Sequence, residues 1–199
     1  MQLLELAMAG LVTILLMVIH ELPKSLVYLI LCESEQRRNY SKSAWKLQRY
    51  VDPIGLVLSV ACCAGFSKPM MYMVRSKRTN LCMGISGLLS LSGVFLLSVW
   101  KLRVDYHMNS LDVTQVGLFQ IAGQLFWIYA TILSAGMLLA NLFPVSVFDM
   151  GLIIAGLSSK KYLVLVACDT LIKCLLMLGV GFGVVKYGAF QMINGLLAV

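Results

Sequence analysis

Residues 3–31 read "LLELAMAGLVTILLMVIHELPKSLVYLIL". About 20 consecutive apolar residues suffice for a helix to cross a bilayer, so this stretch is long enough to span one. It lacks the basic n-region and small-residue cleavage site of a signal peptide, so it is expected to stay in the mature protein as a helix. Its middle is unusual. His20, Glu21 and Lys24 stand in an otherwise apolar run, where ionisable groups are costly and mark function more often than packing. Residues i and i+4 share one helix face, so His20 and Lys24 point the same way, with Glu21 beside them.

The rest of the chain agrees with a membrane setting. Of 199 residues, 60% are hydrophobic and only 13% charged, and the mean hydropathy is +0.87. Soluble domains carry about 25% charged residues, so the expected class is an all-α polytopic membrane protein, one domain over residues 1–199. Lys and Arg exceed Asp and Glu by sixteen to nine, a net charge of +7. These basic residues fall mainly between apolar segments, where they act as topology signals and touch anionic lipid headgroups. No nucleic-acid partner is expected. Cys32, Cys62, Cys63, Cys82, Cys168 and Cys174 show no metal or disulfide spacing and read as buried thiols.

Further spans are expected over 81–100 and 111–142, the latter interrupted by "NLFPVSVFDMG" at 141–151. Residues 101–110 read as a short polar loop that contains His107, the second of two histidines. A last apolar pair, 151–158 and 162–185, is divided by Lys160 and Lys161; Gly179 and Gly183 offer a close-packing spacing within the final helix. The segment "YVDPIGLVLSVACCAGFSKP" at 50–69 is short for a full span and reads either as a tilted helix or as a re-entrant one. Asp52 and Pro53 suit a helix cap and first turn. If the segment dips and returns, the basic breaks on both sides of it face the cytoplasm together; if it crosses, the positive-inside rule cannot satisfy both.

His20-Glu21-Leu-Pro-Lys24 matches the first half of His-Glu-x-x-His, in which two imidazoles hold zinc and the glutamate takes a proton from the metal-bound water. Asn141-Leu-Phe-Pro144-Val-Ser-Val-Phe-Asp149-Met-Gly151 then places one carboxylate after a helix-breaking asparagine and proline. With these two elements the chain resembles the site-2 protease family of intramembrane zinc metalloproteases. "DPIG" followed by "GFSKP", and "MGISGLLSLSGVF" at 83–95, resemble that family's central segments in the same order. The resemblance covers about residues 10–160, with a C-terminal helix at about 162–185. It implies a family-like helical core with a broken helix at the Asn-x-x-Pro…Asp element. It also makes His20 and Asp149 zinc ligands and Glu21 the general base.

The departures matter as much. Lys24 occupies the second ligand position, Met150 follows Asp149 where the family has glycine, and Leu88 and Ser92 replace a proline and an asparagine. A catalytic zinc takes three protein ligands and an open position, and a protonated lysine cannot ligate. The expectation is that the Lys24 ammonium compensates Glu21 and Asp149 in place of the metal's charge. The metal set His20 and Asp149 is then vestigial, and no cofactor is bound unless zinc completes an atypical site. Plainer readings are a His20 that hydrogen-bonds a neighbouring helix and an Asp149 that caps one.

The function expected from the resemblance is a catalytically degenerate scaffold or subunit that binds transmembrane helices of partner proteins. The alternatives are an active protease with an atypical site and an ion- or proton-path subunit. Compact size and positive loops fit a multi-pass protein of a bacterial cytoplasmic membrane.

Overall fold

The computed structural model describes residues 2–32, 40–41, 44–68, 76–109 and 118–197. Among the described residues the chain is helical, with no strand. Helix α1 is Gln2–Leu31, followed by a 3-10 turn at Leu47–Tyr50, then α2 at Pro53–Cys62 and α3 at Lys77–Asn109. The second half holds α4 at Leu118–Asn141, α5 at Asp149–Leu157, α6 at Ser159–Ala167, α7 at Asp169–Gly181 and α8 at Val184–Leu197. Leu3–Leu31, Lys77–Asp105 and Gln120–Asn141 are each long and apolar enough to cross a membrane, and α6 with α7, bent by 66°, makes a fourth if counted as one span. The chain is therefore an integral membrane protein with an all-helical fold.

Helix α1 shows how the solvent shapes the pattern. Its buried residues include Val12, Thr13, Leu16, Met17, His20, Glu21, Lys24 and Ser25, spaced at three and four along one face. Leu11, Ile14, Leu15, Ile19, Leu26 and Ile30 are exposed. The polar groups lie on the buried face beside apolar ones, while these exposed positions are all apolar, the arrangement expected where the surroundings are hydrocarbon. Pro23 lies within α1 without ending it.

The short segment after Tyr50 folds back on itself as a hairpin. The Asp52 carboxylate caps α2 by accepting from Ile54 N at 2.8 Å and Gly55 N at 3.0 Å, and Pro53 opens the helix. Ten residues give only about 15 Å of helix at 1.5 Å per residue, too little to cross. Cys63, at φ 57°, then turns the chain back. The returning residues pass so close to α2 that a side chain at Gly55 would collide with the Phe66 carbonyl. Lys68 N donates to Tyr50 O at 3.1 Å, so the hairpin's two ends meet.

Tyr50 is fully buried; its hydroxyl donates to the Ala44 carbonyl and lies 2.9 Å from Ser25 Oγ on α1. Burial pushes its phenol pKa above the ordinary value. Tyr50→Phe leaves these two buried partners short of a hydrogen bond and is expected to cost about 1–3 kcal/mol. Thermal unfolding in detergent micelles checks this, and an unchanged midpoint would mean that packing alone seats the hairpin.

Four expectations need correction. None of the six cysteines is fully buried: Cys32, Cys62, Cys63 and Cys82 are half-buried, and Cys168 and Cys174 are exposed. Residues 101–109 are helical rather than a polar loop: nothing there breaks a helix, and Lys101 pairs with Asp105 one turn on at 2.6 Å. His107 lies on this helical extension, and its side chain falls outside the described residues. The single C-terminal helix over 162–185 is three helices. Asp169 accepts from Ser146 N at 2.8 Å and pairs with Lys173 at 2.5 Å, tying the first turn of α7 to the 142–148 loop and redirecting the chain at Cys168. Gly183, at φ 73°, ends the next segment, so Gly179 and Gly183 do not share a helix. Helix α8 then packs antiparallel on α4, with Ala189 and Ile193 beside Phe95, Val99 and Ala135.

A buried charge ring as the candidate functional site

The site forms where α1, the hairpin's return and the start of α5 converge. Helix α1 contributes His20, Glu21 and Lys24 from its buried face. The broken helix contributes Asp149: α4 stops at Asn141, residues 142–148 form an irregular turn that includes Pro144, and α5 starts with Asp149 in its first turn. His20, Glu21, Lys24 and Asp149 are each no more than 1% exposed.

These groups close a ring through Ser67. His20 Nε2 lies 2.7 Å from Asp149 Oδ2, and Lys24 Nζ donates to Asp149 Oδ1 at 2.9 Å. The same ammonium stands 2.6 Å from Glu21 Oε1. Ser67 Oγ donates to Glu21 Oε1 at 2.7 Å and lies 2.7 Å from His20 Nδ1. Proton counting constrains the charges. Serine has one hydroxyl proton, so with that proton on Glu21 both imidazole nitrogens donate, Nδ1 to Ser67 and Nε2 to Asp149. Two cations then face two carboxylates. Other complete arrangements move one proton from the imidazole to either carboxylate, and the total charge remains zero. Neutrality is what a group excluded from water requires. The other Glu21 oxygen, Oε2, is buried without a hydrogen-bond partner among the described residues.

Helix α3 shapes the ring's outer wall. A methyl group on Gly87 would lie 2.5 Å from both Asp149 carboxylate oxygens, so only a glycine lets α3 approach the aspartate this closely. Asn141 is buried, but its side-chain amide turns back to donate to Met137 O at 2.9 Å. Gly151 packs beneath the 145–146 turn, where an added side chain would meet the Val145 and Ser146 carbonyls. Asn141, Pro144 and Gly151 thus form and pack the helix break, and Asp149 is the member of that element that joins the ring.

Here the imidazole and the carboxylates are bonded to one another and to the Lys24 ammonium. The carboxylates flank opposite edges of the imidazole, Asp149 at Nε2 and Glu21 at 3.5 Å from Nδ1. The ammonium of Lys24 bridges both. Among the described residues, no three His, Cys, Asp or Glu side chains are grouped so as to hold a metal ion. The arrangement can tie three segments together and hold protons in a closed circuit.

His20, Glu21, Lys24 and Asp149, singled out in the sequence, come together. Ser67 and Gly87 were not singled out. Ser67 carried a weak signal as the polar residue between Phe66 and Lys68 in "GFSKP". Gly87 carried none, since glycines recur along α3. No family model matches the chain, and neither the curated proteins nor the solved structures include a match.

Proposed function

We propose that the protein is a catalytically degenerate member of the site-2 protease family, a membrane-embedded scaffold or subunit that binds transmembrane helices of partner proteins. The resemblance rests on four blocks in order: His20-Glu21, Asp52-Pro-Ile-Gly with Gly65-Phe-Ser-Lys-Pro, the 83–95 helix, and Asn141 to Gly151. One observation carries the loss of catalysis. The Lys24 ammonium lies within 2.9 Å of both Glu21 and Asp149, where it neutralises the carboxylates that a metal and its base would use. Such a group binds no hydrolytic water between His20 and Asp149, and Glu21, already paired with a cation, is a poor base. The remaining fold still offers apolar helix faces to partners in the bilayer, and its basic loops still suit anionic lipid headgroups. A bacterial cytoplasmic membrane is the location this reading favours.

Metal analysis of the purified protein tests it. The expected zinc content is well below one per chain and unchanged in His20→Ala. Stoichiometric zinc that disappears in His20→Ala would overturn the reading. So would cleavage of a model transmembrane substrate that stops in Glu21→Gln.

A further inference from the structure

Seven of the nine exposed basic residues among the described ones gather toward one end of the bundle; the other two are Lys173, paired with Asp169, and Lys186 at the start of α8. The two ends of the hairpin meet at Tyr50 and Lys68, and Tyr50 reaches Ser25 in the last third of α1. The last turn of α5 rests on the first turn of α3, where a methyl on Gly156 would stand 2.8 Å from the Lys77 carbonyl. Lys46, Arg49 and Lys68 around the hairpin, the Lys77–Arg78 pair on α3 and the Lys160–Lys161 pair on α6 therefore lie toward the same end, and all seven are exposed. Asp52 is the acidic side chain described among them, and it is engaged in capping α2. Among the described residues the opposite end is balanced: Lys101 and Arg103 stand against Asp105 and Glu5, and Lys101 pairs with Asp105 at 2.6 Å.

From this asymmetry we infer that the basic end is the cytosolic end of the protein and rests on an anionic phospholipid leaflet. The hairpin then enters the bilayer from the cytosol and leaves on the same side. Lys and Arg beside membrane spans are retained on the cytosolic side, and the anionic leaflet attracts them. Because the hairpin returns, its two basic flanks obey this rule together, and Lys160 and Lys161 join them at the end of α5. The bundle crosses four times: α1, α3, the broken α4–α5 pair, and the α6–α8 series. The start of α1 and the end of α8 lie on the opposite face. The charge ring is about 17 Å from this end along α1, about 15 Å along α3 and about 12 Å along α5, counted from His20, Gly87 and Asp149 at 1.5 Å per residue. Three helices thus place it near the middle of a hydrocarbon core about 30 Å thick. None of this depends on whether the ring once held a metal.

Cysteine labelling of the full-length protein in its native membrane tests the inference. Lys160→Cys and Asn194→Cys, made separately, place a thiol at the two ends of the bundle. Each is treated with a membrane-impermeant maleimide in spheroplasts and in inside-out vesicles, and the modified residue is located by mass spectrometry. Asn194→Cys is expected to label at least tenfold more in spheroplasts, and Lys160→Cys at least tenfold more in inside-out vesicles. The reverse pattern overturns the orientation, and labelling of both from one side overturns the four crossings. Phosphatidylglycerol retained by the purified protein is expected to fall severalfold when Lys77, Arg78, Lys160 and Lys161 are all replaced by Gln. Unchanged retention overturns the leaflet contact.

Discussion

Lys24→Met is expected to destabilise the fold by about 3–5 kcal/mol, the range found when one partner of a buried ion pair is removed. Methionine fills most of the volume, so the loss measures charge rather than a cavity. With the ammonium gone, Glu21 and Asp149 face each other across a ring that is no more than 1% exposed, and His20 alone cannot neutralise both. The expected result is a lowered midpoint of thermal unfolding in detergent micelles. An unfolding midpoint equal to wild type would sink the assignment of Lys24 as the compensating cation. Asp149→Asn alone should fall in the same range, since it leaves the opposite imbalance. Combining His20→Leu, Glu21→Leu, Lys24→Met and Asp149→Leu should recover much of the loss, because well-packed apolar replacements for a whole buried ionic set are often neutral or better. Partner capture by that apolar variant separates structure from function: a scaffold that uses only its helix faces keeps its partners, and one that uses the ring's polarity loses them.

The sequence disclosed this ring unevenly, and the reasons are physical. His20, Glu21 and Lys24 were legible because charges in a hydrocarbon-length helix have to be inside and paired, and because three- and four-residue spacing puts them on one face. Asp149 was legible because Asn141 and Pro144 announced a helix break before it. That the segment at 50–69 is short for a full span was legible from length alone, but that its described part folds back as a hairpin was not. It depended on Cys63 adopting a left-handed backbone and on Lys68 N reaching Tyr50 O, both products of packing. The C-terminal third was misread for a related reason. The run from 162 to 185 is apolar apart from Asp169, Thr170 and Lys173, and the bend at Cys168 is set by an Asp169 contact to Ser146 twenty-three residues away. Ser67 joined the site from a segment whose local pattern said only helix cap and return. A pattern with period 3.6 reports a helix's own faces; it carries little about which distant turn meets them.

Gly87→Ala and Gly93→Ala, six residues apart on the same helix, are expected to differ in their effect on stability. At Gly93 an added methyl meets nothing within 4 Å, so alanine should be neutral to stabilising by up to about 1 kcal/mol, the difference in helix propensity between the two residues. At Gly87 the methyl would sit 2.5 Å from both Asp149 oxygens. Either α3 withdraws from α5, which costs about 1–3 kcal/mol as overpacking does, or the carboxylate leaves its partners. The second outcome breaks the bonds to His20 Nε2 and Lys24 Nζ and approaches the cost of Lys24→Met. Gly84 makes the first outcome difficult, because a side chain there would already press on the Asp149 backbone and Ile153, so α3 and α5 are in contact along more than one turn. The larger loss is therefore expected, and Gly87→Ala combined with Lys24→Met should cost much less than the sum of the two, since both break the same ring. Additive losses would show that Gly87 governs helix packing alone and that the aspartate keeps its place without it.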